Sequence, residues 1–302
     1  MPWFLAAPER RCRVKGALRG LFAYMSAAMS RPFLKMNGLG NDFVVVEARS
    51  APFEPTPAQV RAIADRTSGV GCDQLISIER ASGGEADARA RFWNADGEEV
   101  SACGNGTRCV GWLMMQAVGK DAVAIQTQAG VLQAWRVGER LVAVDMGQPG
   151  LDWRDIPLSD EQDTLFMDVP LHPALTEHAT CVSMGNPHVV FFVAELDEAF
   201  VRSVGPVIER HPLFPKGANV GFAQVIDRER IGLKVWERGA GLTKACGTGA
   251  CAALVAAVRR DLTDRAATLV LDGGELLIDW RAEDGHVIMT GPAAVDFAGE
   301  LP

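Results

Sequence analysis

Two cysteines of this chain share one setting. The segments "ACGNG" and "ACGTG" place Cys103 and Cys246 directly ahead of runs that read as helices, "TRCVGWLMMQAVG" and "TGACAALVAAVRRD". The first N–H groups of a helix lack an internal partner, and the positive end of the macrodipole favours an anion there. Such a place can lower a thiol pKa into roughly the 3.5–7.5 range, against ~8.5 for a free thiol. It can also bind a carboxylate, and the glycines after each cysteine let backbone approach a ligand closely. Two such helix starts facing one cleft would clasp a carboxylate, with the thiols on opposite faces of the neighbouring carbon. One thiolate and one thiol would then act as base and acid on the two sides of a stereocentre. The charge released would spread onto the carboxylate oxygens, where the clasping N–H donors act most strongly as it develops. This chemistry needs no bound cofactor, and no clear motif for one occurs in the sequence.

The case for a pair rests on a repeat. Asn41 in "GLGNDF" and Asn186 in "SMGNPH" are 145 positions apart, as are Gln74 in "GVGCDQ" and Asn219 in "KGANVGF". Asn94 in "FWNADG" and Glu237 in "VWERGAG" are 143 apart, as are Cys103 and Cys246. Four polar landmarks kept in order predict two similar domains related by a pseudo-two-fold axis, each bringing one Ala-Cys-Gly-x-Gly to a shared cleft.

The elements that must position these residues repeat as well. In the first half "FVVVEA", "QLISIE", "ARARFW" and "AVAIQT" read as strands, "PAQVRAIADR" as a helix with Pro near its start, and "VLQAWRVGERLVAVDMG" as a hairpin. Residues 148–180, rich in Pro, Asp and Leu, read as a linker. In the second half "VVFFVA", "NVGFAQVID" and "IGLKVWERG" are strand-like and "DEAFVRSVGPVIER" is helix-like. "LVLDGGELLIDW" and "HVIMTG" read as a closing hairpin and strand. The class predicted is mixed α/β (α+β). The expected domains are 31–147 plus 291–302, and 148–290, the last segment "PAAVDFAGELP" returning to the first domain. Residues 1–30 read as an extension without a part in the chemistry. A start assigned too far upstream suits them better than an Arg-rich transit peptide, since Met25 and Met29 lie just before the first convincing strand.

Composition narrows the classes. At 302 residues two domains are the natural expectation, and 48% hydrophobic with 23% charged residues suits a globular protein. The net charge of −8 argues against a nucleic-acid binder, and no apolar run approaches the ~20 residues of a spanning helix. Seven cysteines without a secretory signal read as reduced and cytoplasmic. A cysteine ahead of a helix is commonly just a small buried residue, and that reading suits Cys12, Cys72, Cys109, Cys181 and Cys251. The matched pair is what departs from it. The spacing of Cys103 to Cys109 and of Cys246 to Cys251 does not suit zinc knuckles, and no Cys-x-x-Cys redox pair occurs. Glu237 and Arg238 admit an exposed ion pair, but Glu237 mirrors Asn94, which favours a ligand role. His188 is either a capped loop histidine or a group that tunes a nearby thiolate.

The motifs "NGLGNDF", "GVGCDQ", "FWNADGEEVSACGNGTRC", "SMGNPH", "ANVGF" and "ERGAGLTKACGTGACAA" resemble those of the diaminopimelate epimerases, from about residue 31 to the C-terminus. The resemblance implies two pseudo-symmetric domains, each a sheet wrapped around a central helix. It also implies interconversion of LL- and meso-diaminopimelate without pyridoxal phosphate, in lysine and peptidoglycan-precursor synthesis, by a cytoplasmic homodimer. It gives Cys103 as proton donor and Cys246 as acceptor, roles that reversal exchanges. Gly104, Asn105, Gly247 and Thr248 become backbone donors to the reacting carboxylate. Asn41, Gln74, Asn94, Asn186, Asn219, Glu237 and Arg238 become substrate-binding positions, with His188 and Glu237 adjusting the thiols. Asn37 stands where many members carry His, and the 30-residue extension is not typical. A proline or hydroxyproline racemase would share the two-cysteine logic, a phenazine-pathway isomerase would share the fold without needing both thiols, and an amino-acid-binding module would explain the clasp alone.

Overall fold

The computed structural model describes residues 31–100, 103–168, 175 and 178–301. The 30-residue extension lies outside the described residues. The first half contains β1 (Arg31–Gly38), β2 (Asn41–Glu47), α1 (Pro57–Ala64), β3 (Gln74–Glu79), β4 (Ala88–Asn94), β5 (Glu99–Val100), α2 (Gly104–Val118), β6 (Ala122–Thr127), β7 (Gly130–Arg136) and β8 (Leu141–Asp145). The second contains β9 (Thr180–Ser183), β10 (Pro187–Phe192), α3 (Glu198–Glu209), β11 (Asn219–Asp227), β12 (Arg230–Glu237), β13 (Gly241–Thr243), α4 (Gly247–Arg259), β14 (Ala266–Leu271), β15 (Gly274–Trp280) and β16 (Val287–Pro292). A last strand, β17 (Ala294–Leu301), pairs antiparallel with β1.

The strand pairings of the two halves match one for one. β2–β3 and β10–β11 are parallel, each joined by an outer helix, α1 or α3. β3–β4 and β11–β12 are antiparallel. β4–β6 and β12–β14 are again parallel, the crossovers being α2 and α4. Even the register repeats: Phe43 faces Gln74 in one half and His188 faces Asn219 in the other. The offset read from the sequence is therefore an offset in the hydrogen-bonded ladders. The halves meet where β8 pairs antiparallel with β16.

α2 and α4 are buried nearly all round, as expected of helices with apolar residues on every face. α2 touches β1, β2, β4, β6, β7 and β8, so the sheet curls around it from its first strand to its last. α4 does the same from β9 to β16. Its Ala-rich run, Ala250, Ala252, Ala253, Ala256 and Ala257, keeps the helix thin enough for strands on all sides. α1 begins at a capping box, with Thr56 and Gln59 bonded reciprocally, and α3 is capped by Asp197.

Five strands lie outside the sequence expectation: β1 and β17, eight residues each, and the short β5, β9 and β13. β5, β9 and β13 span two to four residues, too short to carry a period. β9 ends the stretch expected as linker and carries the first strand of the second half, while most of residues 148–168 is turn and bend.

Candidate active site

Cys103 and Cys246 are the N-cap residues of α2 and α4. Each sulfur accepts a hydrogen bond from the backbone N–H three residues on, Gly106 to Cys103 Sγ at 3.4 Å and Gly249 to Cys246 Sγ at 3.4 Å. Each carbonyl takes the first helical bond, from Thr107 at 2.7 Å and from Ala250 at 2.9 Å.

The two helix starts approach one another around Met289 of β16. A Cβ placed on Gly104 would lie 2.8 Å from Met289 Cε, and one on Gly247 would lie 2.9 Å from Met289 Sδ and 3.2 Å from Asn105 Oδ1. A side chain at either position would have to displace the Met289 thioether from between the helix starts. The electrostatics agree, because Glu237 acts on both Cys246 and Cys103.

The polar side chains are mirrored too. Asn105 Nδ2 donates to Asn41 Oδ1 at 2.6 Å. In the second half Asn186 Nδ2 donates to Thr248 Oγ1 at 3.3 Å, between the positions that correspond by repeat. Gln74 Nε2 donates to Asn94 Oδ1 at 2.8 Å, leaving Gln74 Oε1 buried without a partner among the described residues. Asn219 bonds Pro187 O at 3.1 Å through Nδ2 and accepts the Arg238 N–H at 2.9 Å. The Arg238 guanidinium is exposed and donates to Lys216 O at 2.9 Å. Glu209 fixes that loop by accepting from Trp236 Nε1 at 2.7 Å and from the Gly239 N–H at 2.9 Å. Asn37 Oδ1 caps the β1–β2 turn by accepting from Gly40 N at 3.1 Å. A cavity of about 680 Å³ lined by Phe192, Glu195, Phe200 and Arg260 contains none of these residues.

The thiols depart from the expectation of a lowered pKa. Burial pushes Cys103 up to about 11, against the Gly106 N–H that favours the thiolate. Burial pushes Cys246 well above its ordinary value, and Glu237 adds to the rise. A helix start stabilises an anion only by what its few N–H groups return, and here dehydration outweighs them. Burial also raises Glu237, which accepts a hydrogen bond from Thr243 Oγ1. His188 is 1% exposed, and burial lowers it to about 3, so its ring is neutral at physiological pH. Its Nε2 lies 3.0 Å from Asn186 Oδ1, an acceptor, which makes Nε2 the protonated nitrogen. His188 reaches Cys246 through Asn186 and Thr248, whose Oγ1 is 3.7 Å from Cys246 Sγ.

Behind Asn41 stands an ionic cluster. Asp73 Oδ2 accepts from Asn41 Nδ2 at 3.2 Å and from the Asp42 N–H at 3.1 Å, while Arg66 bridges Asp42 and Asp73 at 2.8 and 2.7 Å. Lys35, 6% exposed, pairs with Asp42 at 2.7 Å and also bonds Gly71 O. Burial alone would raise Asp42, but Arg66 and Lys35 outweigh it and hold it well below the usual carboxylate range. Asp42→Asn is therefore expected to cost about 2–3 kcal/mol at pH 7, since Lys35 is left buried without its carboxylate. The folded pKa lies below the unfolded value of about 3.9. The stabilisation is thus complete above that value and lost as pH falls towards the folded one. Urea titrations at pH 7 and pH 3 should show the gap between wild type and variant shrinking at pH 3. An equal gap at both would remove the carboxylate from the account.

The family model described as diaminopimelate epimerase matches residues 33–151 and 180–295. The chain belongs to the diaminopimelate epimerase family. A relative named diaminopimelate epimerase from Phenylobacterium zucineum is 70% identical over 92% of this chain and 100% of its own. One of the same name from Caulobacter vibrioides is 58% identical, over 91% of this chain and 98% of its own. Among solved structures, a phenazine biosynthesis protein of the PhzF family from Enterococcus faecalis superposes with a TM-score of 0.65 at 15% identity, covering 91% of this chain and 100% of its own. A hydroxyproline epimerase from Agrobacterium vitis gives 0.62 at 15% identity, covering 90% and 92%. At that identity the likeness is one of fold. The chain thus shares with these solved structures the architecture of two curled sheets, each around a buried helix. Among the described residues no helix is long and apolar enough to cross a membrane.

Proposed function

We propose that this epimerase interconverts LL- and meso-diaminopimelate by passing the α-proton between two thiols, Cys103 and Cys246, with no bound cofactor. The observation that supports it is the meeting of two Cys-capped helix starts around Met289, with their polar neighbours mirrored. The backbone N–H groups of Gly104, Asn105, Gly247 and Thr248 belong to the first turns and are the donors for the α-carboxylate. As the proton leaves, charge moves onto that carboxylate, and the same donors stabilise it more strongly.

The raised thiol pKa values bear on how the base arises. Two neutral thiols cannot start the reaction. The substrate's α-ammonium brings a positive charge that favours a thiolate beside it. Glu237, which acts on Cys246 and is itself raised by burial, is placed to take the Cys246 proton. That gives Cys246 the acceptor role and leaves Cys103 as the acid, with the roles exchanged on reversal. Asn41, Gln74, Asn94, Asn186 and Asn219 supply amide groups for a long, doubly zwitterionic amino acid, and Arg238 supplies a fork for its distal carboxylate. The same reading carries a place in lysine and peptidoglycan-precursor synthesis, as a cytoplasmic homodimer.

The test is exchange of the α-proton with deuterated water, run with LL-diaminopimelate beside L-proline. Deuterium is expected in diaminopimelate together with epimerisation, and L-proline is expected to remain unlabelled. Labelling of L-proline alone would move the chain to the proline racemase type. Binding without label in either would make it an amino-acid-binding module.

A further inference from the structure

Arg108 lies five residues after Cys103, on the first turns of α2, and is 0% exposed. Among the described residues it has no carboxylate partner. Its Nη1 donates to Asn105 Oδ1 at 2.8 Å and lies 3.3 Å from Met289 Sδ, and its Nε donates to Pro292 O at 3.3 Å. Its Nη2 is buried with no acceptor among the described residues. A Cβ on Gly291 would stand 3.0 Å from its Nε, so the strand beside it is shaped to admit the side chain. A guanidinium remains charged in a protein, and a buried charge without a counter-charge is costly. That cost calls for a reason in the chemistry, since neighbouring apolar residues would fill the space at less expense to stability.

The contacts supply one. Asn105, which Arg108 holds, donates to Asn41, and Met289 is the side chain on which Gly104 and Gly247 both rest. Arg108 thus stands directly behind the point where the two helix starts meet. We propose that Arg108 is a positioning residue of the epimerisation, locking Asn105 and Met289 and supplying from behind the clasp the positive charge that offsets the thiolate and carboxylate formed in front of it. This rests on the two-thiol reading. The titratable groups that act on Arg108 are Cys103, Cys109 and Cys251, and those that act on Cys103 are Glu237 and Arg108. Arg108 favours the Cys103 thiolate and Glu237 opposes it. The counter-charge missing from the resting protein is then the reacting pair itself.

The experiment compares Arg108→Met, which keeps the length without charge, with Arg108→Lys, which keeps charge without the fork. Three readouts are taken: thermal melting, kcat and KM, and the pH dependence of Cys103 alkylation by iodoacetamide, located by peptide mapping. For Arg108→Met the melting temperature is expected to hold or rise, kcat to fall about 100-fold, and the alkylation midpoint to move up by about one pH unit. Arg108→Lys should restore the midpoint and part of kcat. Arg108→Gln serves if the methionine variant does not fold. The proposal is overturned by a neutral variant that melts lower, keeps the wild-type alkylation midpoint and loses activity only in proportion to lost fold. It is equally overturned by one with wild-type kcat. The alkylation midpoint is read without substrate, so a failure of the two-thiol reading, seen as epimerisation surviving in Cys103→Ala, is distinguishable from a failure here.

Discussion

Cys103→Ala and Cys246→Ala are each expected to reduce epimerisation by at least about 1,000-fold while the fold persists. The size follows from the loss of a general base in one direction and a general acid in the other, each worth roughly 10²–10⁴-fold. Alanine occupies less volume than cysteine, and each site is an N-cap rather than the middle of a packed helix, so the structural cost is small beside the kinetic one. What remains of the chemistry should be one-sided. With a single thiol left, only the stereoisomer whose α-hydrogen faces it can lose that hydrogen. Each variant is thus expected to exchange the α-proton of at most one isomer with deuterated water, and the two variants should select opposite isomers. Proton NMR of LL- and meso-diaminopimelate incubated with each variant reads this directly. Near-normal epimerisation in either variant, or exchange of the same isomer by both, would show that the thiols do not serve opposite faces.

The second large effect is expected at Glu237. Among the mirrored landmarks the two halves differ most in charge here, with a carboxylate against Cys246 where the first half carries the neutral Asn94. Burial raises Glu237 above its ordinary value, which makes it a better acceptor for the Cys246 proton than an exposed carboxylate. Glu237→Gln keeps the shape and a partner for Thr243 Oγ1 but cannot ionise. It is expected to lower kcat/KM about 100-fold. The loss must be the same in both directions, because the ratio of the two is set by an equilibrium constant that no substitution changes. Steady-state assays started from each isomer check both statements. A variant with wild-type kcat/KM would leave Cys246 to lose its proton by another route.

Much of the site was legible in the chain because it depends on local features repeated twice. Cys-Gly-x-Gly ahead of an apolar run marks a helix start at both places in this chain, and the offsets between Asn41 and Asn186 or Gln74 and Asn219 reappear as strand register. Residue periodicity gave the four helices and most of the long strands, but not β1 and β17, which pair with each other. β5, β9 and β13 were not legible, because a few residues have no period and such strands exist only by virtue of their partners.

Tertiary structure decided what depends on surroundings rather than on neighbours in the chain. An arginine near a helix start reads as a surface residue, and only the closure of β16 over α2 makes Arg108 a buried cation. A single charged residue in the otherwise apolar run "TRCVGWLMM" was the signal available for it. The thiols show the same division. The sequence determined that Cys103 and Cys246 would cap helices, where N–H groups favour an anion. The packing of two curled sheets determined how much water those sulfurs lose, and dehydration raised both above their ordinary values. Hydrogen bonds at a helix start come from residues three positions away, whereas desolvation sums over every atom that folding brings near.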